Sequence, residues 1–219
     1  MHDRLILALD TSFGPVSAAV ADEGGAILAS FNADNAPGTQ AETLPPRVAE
    51  MFDRAGLAFE RLRRIAVTVG PGAFTGVRVG LAFAKGLRLA TGAEVFGFTT
   101  LECLAQQAAL PDRAVVSAID AKRDEVYLQV FDRRLAPLME PALLTVFDAS
   151  RIAAKLLQEP PVLTGSGAPL LLDAIVNATV TKVDRIDTKL LARRAIKADA
   201  AQQPPRAAYL RAPDARLPA

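Results

Sequence analysis

Histidine, cysteine and tryptophan are nearly absent: the 219 residues hold one His, one Cys and no Trp. A single histidine, His2, supplies neither a Ser-His-Asp triad nor a histidine-based metal site, so triad hydrolases and zinc peptidases lack their parts. With Cys103 alone, no intrachain disulfide exists. Its setting in Leu101-Glu102-Cys103-Leu104-Ala105 predicts a buried thiol on an apolar helix face rather than a nucleophile. No apolar run reaches the roughly 18 residues of a membrane helix, and the opening run over 5–9 stops at Asp10 without a cleavage pattern. These features read as a cytoplasmic chain with no membrane partner. Large net charge is also missing: at +1, no general attraction draws the chain to nucleic acid. The scattered pairs Arg63-Arg64, Arg133-Arg134 and Arg193-Arg194 read as solvated surface.

What is present is apolar residue, 51% of the chain against 22% charged, enough for one large domain or two small ones. Segments 5–10, 16–21 and 26–31 read as three short strands split by Gly14-Pro15 and Gly24-Gly25, an antiparallel meander. A helix follows over about 40–56, with Leu44, Val48, Met51, Phe52 and Ala55 at helical spacing and Gly56 as its stop. Next come a strand over 65–69, a glycine-rich turn, a helix from near Gly76 to about Thr91, a strand over 95–98 and a helix from about Thr100. Val115-Val116-Ser117-Ala118-Ile119-Asp120 then mirrors Leu5-Ile6-Leu7-Ala8-Leu9-Asp10, and each is followed by a turn and an alternating strand, the second over 125–131. An aspartate closing the first strand of each meander predicts a duplicated α/β fold, with one half over 1–110 and a reduced second half over 111–219. After strands through Val146, that second half offers a helix over 149–157, a strand over 162–164, a Gly165-Ser166-Gly167 turn and a helix over 188–198. The tail from Gln202 reads as extended, with Tyr209 placed to pin it back onto the body.

Backbone geometry is most constrained in Gly70-Pro71-Gly72-Ala73-Phe74-Thr75-Gly76-Val77-Arg78-Val79-Gly80. Glycines before a helix can hold an anion or let another segment pack closely. A Walker loop needs lysine and then serine or threonine after its last glycine, whereas Val77 and Arg78 follow Gly76. The dinucleotide fingerprint fails as well, because one residue too many separates Gly72 from Gly76. The helix that follows is apolar almost all round, with Arg78, Lys85 and Arg88 in one stripe, so it needs cover on more than its core side. Gly76, Gly80 and Ala84 recur every four residues as a small-residue track on which another helix can settle, from a partner or from the same domain.

Asp10-Thr11-Ser12 ends a strand at a hairpin, a layout in which a carboxylate reaches a metal-bound phosphate while hydroxyls hold its oxygens; it is equally an ordinary turn-forming cluster. The first reading makes Asp10, Thr11 and Ser12 nucleotide-binding residues and the chain an actin-like small-molecule kinase or ATPase. Asp120 would face Asp10 across a cleft, although Ala121 stands where a hydroxyl would serve and Lys122-Arg123-Asp124 replaces a glycine-rich hairpin. Gly165-Ser166-Gly167 reads as a strand-to-helix connection.

Together Leu9-Asp10-Thr11-Ser12, the motif over 70–80, Ala84-Lys85-Gly86-Leu87, Thr99-Thr100-Leu101, Ile119-Asp120-Ala121, Glu125-Val126-Tyr127 and the ending Tyr209-Leu210-Arg211-Ala212-Pro213-Asp214-Ala215 resemble the TsaB/YeaZ family. The resemblance implies a duplicated actin/Hsp70-like (ribonuclease H-like) fold. It also implies a place in the bacterial machinery that installs threonylcarbamoyl on the adenosine beside the tRNA anticodon. There the chain would be a non-catalytic subunit that binds and activates TsaD, with no catalytic or metal-binding residue of its own. TsaD binds metal through a histidine pair on its first long helix; the corresponding stretch here, Gln40 to Pro46, has none, and the peptidase label of its catalytic relatives finds no support. The first two helices would bundle with TsaD, or with a second copy in a homodimer when isolated. That places Leu44, Val48, Gly76, Val77, Gly80, Phe83, Ala84 and Leu87 at the partner interface. A TsaE-like ATPase would join, ATP and metal would belong to the partner subunits, and tRNA would be met only through the complex.

Overall fold

The computed structural model describes residues 4–33, 40–199 and 201–211. His2 and the stretch 212–215 of the family-like ending lie outside them. The first half contains β1 (Leu5–Asp10), β2 (Ser17–Asp22), β3 (Ile27–Asn32), α1 (Gln40–Arg54), β4 (Leu62–Thr68), α2 (Phe74–Thr91), β5 (Glu94–Phe98) and α3 (Thr100–Ala108). In the second half are β6 (Val115–Lys122), β7 (Glu125–Phe131), β8 (Ala142–Thr145), α4 (Val146–Leu156), β9 (Val162–Thr164), α5 (Ala168–Leu171), β10 (Thr179–Thr181) and α6 (Thr188–Ala195).

Two five-stranded sheets have the orders β3-β2-β1-β4-β5 and β10-β9-β6-β7-β8. Read from the meander inward, these are the same order twice. β1 and β6 are central, each paired antiparallel with the next strand and parallel with the strand that returns after a helix. This is the duplicated α/β, actin-like arrangement that the two aspartate-closed strands predict. The second half is fuller than its sequence suggests, since the short α5 and β10 complete it. Elements of three and four residues carry too little periodicity to register.

Alternation along β1 sorts the core into layers. Leu5, Leu7 and Leu9 face α1 and α2, where Leu44, Val48, Met51, Phe52, Val77, Leu81 and Ala84 meet them. Ile6 and Ala8 face the opposite way, into a cluster with Phe96, Phe98, Leu101, Leu104, Ile119, Leu191 and Ala192. That second cluster holds residues of both sheets and of α3 and α6, so it is a shared floor between the halves. Chain order and packing therefore part company: α6 belongs to 111–219 by sequence yet lies against β1, β2 and β4. The far face of the second sheet is closed by α4 and α5 over Val116, Ala118, Val126 and Leu128.

Local signals set the helix ends. Thr99 and Glu102 form a reciprocal capping box at α3, Thr145 caps α4, and the Asp187 carboxylate accepts from Lys189 and Leu190 N–H at α6. The α4 cap explains why that helix starts at Val146, earlier than the apolar spacing indicates. α2 likewise starts at Phe74, ahead of Gly76. Cys103 is buried as expected, and burial pushes its thiol up to about 12. The basic pairs are not all solvated. Arg64 donates to the Ala195 and Ala198 carbonyls at the end of α6 while lying over the Phe96 ring, and Arg194 lies over Phe98. Arginine at a helix C-terminus satisfies carbonyls the helix leaves free.

Candidate functional site

The glycine-rich loop lies across the C-terminal end of β1. A side chain at Gly72 would come closer than 3.0 Å to the Ser12 carbonyl, one at Gly76 to the Thr11 carbonyl, and one at Gly80 to the Thr11 hydroxyl. Hydrogen bonds fix the contact: Thr11 Oγ1 donates to the Gly76 carbonyl at 2.6 Å, and Ala73 N–H donates to the Ser12 carbonyl at 2.9 Å. The track of Gly76, Gly80 and Ala84 is thus occupied from within the chain. It faces the β1 end and the core, and Leu44, Val48 and Val77 are buried beside it. Of the eight residues expected at a partner interface, Leu44, Val48, Gly76, Val77, Gly80 and Ala84 are corrected to intrachain packing. Phe83 and Leu87 alone retain exposed surface. Gly72 and Gly76 admit main chain and Gly80 admits the Thr11 hydroxyl, which is a requirement of the fold itself.

The same contact closes off the aspartate cluster. Asp10, Thr11 and Ser12 are 0%, 2% and 2% exposed. Asp10 Oδ1 accepts from Ser12 N–H at 3.0 Å, from Ser12 Oγ at 2.7 Å and from the Thr68 hydroxyl. Ser12 and Thr100 hydroxyls share a further bond at 3.0 Å. Asp10 and Thr11 have almost no surface to offer a nucleotide phosphate, because the loop over 72–76 packs on the strand end, and of the three residues Ser12 alone lines the cleft between the halves. The nucleotide-binding expectation for Asp10, Thr11 and Ser12 is therefore replaced by a structural one, a buried polar knot tying β1, β4, α3 and the glycine loop.

Burial raises the Asp10 carboxyl above its ordinary 3.8, opposed by the Thr68 and Ser12 hydrogen bonds. A carboxyl raised in the folded state holds its proton better there than in the unfolded chain. Its contribution to stability is complete below 3.8 and is lost as pH rises through the raised value. Asp10→Asn has no such loss. In urea titrations from about pH 4 to about pH 7, the variant should gain stability relative to the native chain as pH rises. A difference that stays flat over that range would mean that the Asp10 carboxyl is not raised in the folded chain.

The second half uses the same device. Side chains at Gly165 and Gly167 would press on the β6 main chain, the former against the Ala118 carbonyl. Gly167 N–H donates to the Ala118 carbonyl at 2.9 Å, and Asp120 N–H donates to Ser166 Oγ at 3.1 Å. This is the strand-to-helix connection expected from the sequence. Between the two glycine-covered strand ends runs a cleft of about 300 Å³, lined by Ser12, Gly72 and Ala73 on one side and Asp120, Ala121 and Tyr127 on the other. Asp120 faces it but is paired with Lys122 at 2.6 Å, which holds its carboxyl below the ordinary range. Asp10 does not face the cleft, so the expected pair of opposed aspartates is not formed. Among the described residues no group of His, Cys, Asp or Glu is placed to hold a metal ion, and no helix is long and apolar enough to cross a membrane.

α2 has a second small-residue track that sequence reasoning missed: Ala82, Gly86 and Ala90, again four residues apart and all exposed. Around it stand the half-buried Val79, Phe83 and Leu87, and Leu89 at 90% exposure. Arg78 and Lys85, both exposed, border this apolar face. A side chain at Gly86 would meet none of the described residues within 4 Å. Glycine inside a helix costs about 0.5–1 kcal/mol relative to alanine, and nothing among the described residues accounts for it here. The missed signal was the four-residue spacing itself, which occurs twice on this helix.

A protein-family model described as TsaD, tRNA N6-adenosine threonylcarbamoyltransferase, matches residues 36–163. The chain is 34% identical over 130 residues to the tRNA threonylcarbamoyladenosine biosynthesis protein TsaB of Escherichia coli K12, a match covering 58% of this chain and 55% of that protein. It is 38% identical over 128 residues to the tRNA N6-adenosine threonylcarbamoyltransferase of Granulibacter bethesdensis, covering 52% of this chain and 35% of that one. The alignments thus span about half, or less, of these curated relatives. Among solved structures, YeaZ from Pseudomonas aeruginosa superposes with a TM-score of 0.76 at 27% identity, covering 94% of this chain and 100% of that one.

Proposed function

Because the chain belongs to the TsaD family of tRNA N6-adenosine threonylcarbamoyltransferases, in its TsaB/YeaZ branch, we propose that it is a non-catalytic subunit. In this reading it binds and activates a TsaD-type threonylcarbamoyltransferase during formation of threonylcarbamoyladenosine next to the tRNA anticodon. The observation that carries the reading is the outward face of α2: an apolar surface with a glycine at its centre that no contact among the described residues explains. Close approach of another helix does explain it, since small residues let two helix axes come to about 8 Å. Val79, Ala82, Phe83, Gly86, Leu89 and Ala90 are the interface residues.

The division of labour follows from what the remaining residues do. Asp10 is sealed into the fold and Asp120 is held by Lys122, so the chain supplies surface rather than chemistry. ATP and the metal ion belong to the partner subunits, among them a TsaE-like ATPase, and tRNA is met through the assembled complex. In isolation the same α2 face pairs with a second copy, which makes the free chain a homodimer.

Reconstitution tests this. With a TsaD-type subunit, tRNA and threonylcarbamoyl-adenylate, the chain should co-elute with that subunit, and modified adenosine, read by mass spectrometry of digested tRNA, should fall to background when it is omitted. Undiminished modification without the chain would overturn the activating role.

A further inference from the structure

We propose that residues 203–211 form a strap across the inter-half cleft, holding its two walls together with Arg211 as the latch. The tail first joins the first half. Gly97 N–H donates to the Gln203 carbonyl at 2.9 Å, and Ala208 N–H donates to the Val69 carbonyl at 2.8 Å. Gly97 has no side chain because Pro204 and Pro205 cross directly over it. Tyr209 then rests on the start of α2. Its ring lies 5.3 Å from that of Phe74, and its hydroxyl accepts from Arg78 Nε at 3.2 Å. This is the pinning expected of Tyr209, on the wall that carries Gly72 and Ala73.

Two residues later the chain is fastened to the opposite wall. Arg211 Nη1 donates to the Ala121 carbonyl at 3.0 Å, and its Nη2 pairs with the Glu125 carboxylate. Ala121 lines the cleft and Glu125 opens β7 behind it. Only Leu210 separates the two anchor points. Two residues of extended chain span at most about 7 Å, so the walls cannot draw apart by more than a few ångströms without one anchor releasing. At the cleft floor the halves already share a continuous apolar cluster through α3 and α6. The floor acts as a pivot and the strap closes the mouth. A charged latch suits this task, because a part-exposed ion pair is weak enough to open without disturbing the core.

This inference does not depend on what sits on α2. It is tested by amide hydrogen exchange on the full chain, on Arg211→Ala, on a chain ended after Pro205, and on Glu125→Gln, which breaks the latch from outside the tail. The expected result is exchange faster by about ten-fold or more at 72–75 and 119–125, the two walls, in all three variants. Amides of β1 and β4 should exchange as in the native chain. Arg211→Lys, which keeps the ion pair but loses the second bond, should fall between. Native exchange at both walls after the tail is cut would reduce the segment to surface dressing. Equal acceleration across β1 and β4 would make it a global stabiliser, and either result overturns the strap.

Discussion

Gly86→Arg is expected to abolish binding of a TsaD-type subunit while leaving the isolated chain folded. The position is exposed and a side chain there would meet none of the described residues within 4 Å, so in the protomer the new side chain extends outward and removes a glycine from a helix interior. The isolated variant should stay folded but run as a monomer where the native chain runs as a homodimer, and its melting temperature should lose the native chain's dependence on concentration. In a complex whose helices meet at small residues, the same side chain occupies the partner's volume and brings a charge into an apolar contact. Truncating a central interface residue commonly costs 2 kcal/mol or more, about 30-fold in affinity, and inserting a large one at the closest approach should exceed that. Gly86→Ala separates the two effects, with a gain of about 0.5–1 kcal/mol in the helix of each protomer and weaker pairing with either a second copy or a TsaD-type subunit. Thermal unfolding and co-elution read both. If Gly86→Arg co-eluted with the partner as the native chain does, the outward face of α2 would not be the interface.

Gly76→Ala, one methyl group on the inward track of the same helix, is expected to damage the fold itself. The new carbon would overlap the Thr11 carbonyl, which is main chain at the end of a strand buried along its whole length and cannot swing aside. Separating α2 from β1 to make room also strains the bond from Thr11 Oγ1 to the Gly76 carbonyl and opens the knot around Asp10. Such overpacking against rigid backbone falls in the exceptional range, about 3 kcal/mol or more. For a chain of this length that lowers the melting temperature by roughly 6–12 °C. Gly80→Arg meets the Thr11 hydroxyl and Val67 in the same way; it too would probe folding rather than association. A Gly76→Ala protein that melted normally but lost its partner would restore the first track to the interface.

The two substitutions fall on one helix, each on a track of small residues spaced four apart, and the sequence treats them alike. Small residues at 76, 80 and 84 and at 82, 86 and 90 are both compatible with close helix packing. Periodicity reports that a face is small and apolar; it is silent on which neighbour covers that face. Asp10 was ambiguous for the same reason. A strand-ending aspartate beside hydroxyls suits either an open phosphate site or a sealed turn, and the difference is made by a loop some 60 residues further along the chain. The assignment of α6 to the first half was equally hidden, because its amphipathic pattern specifies a buried side but not whose sheet it lies on.

Sequence alone determined what local and repeating physics can determine. The alternation and turn signals of two meanders, each closed by an aspartate, yielded the duplicated sheets, and the stop at Gly56 marked the end of α1, where a positive φ turns the backbone. The scarcity of histidine and cysteine removed whole classes of chemistry. Tertiary structure decided the rest: that Gly76 and Gly80 exist to admit the chain's own strand end, that Asp10 is sealed beneath them, that Gly86 looks outward, and that the tail returns to grip both halves. Each of these is a contact between segments distant along the chain, and such contacts follow from how the layers stack, information that no short window of residues contains.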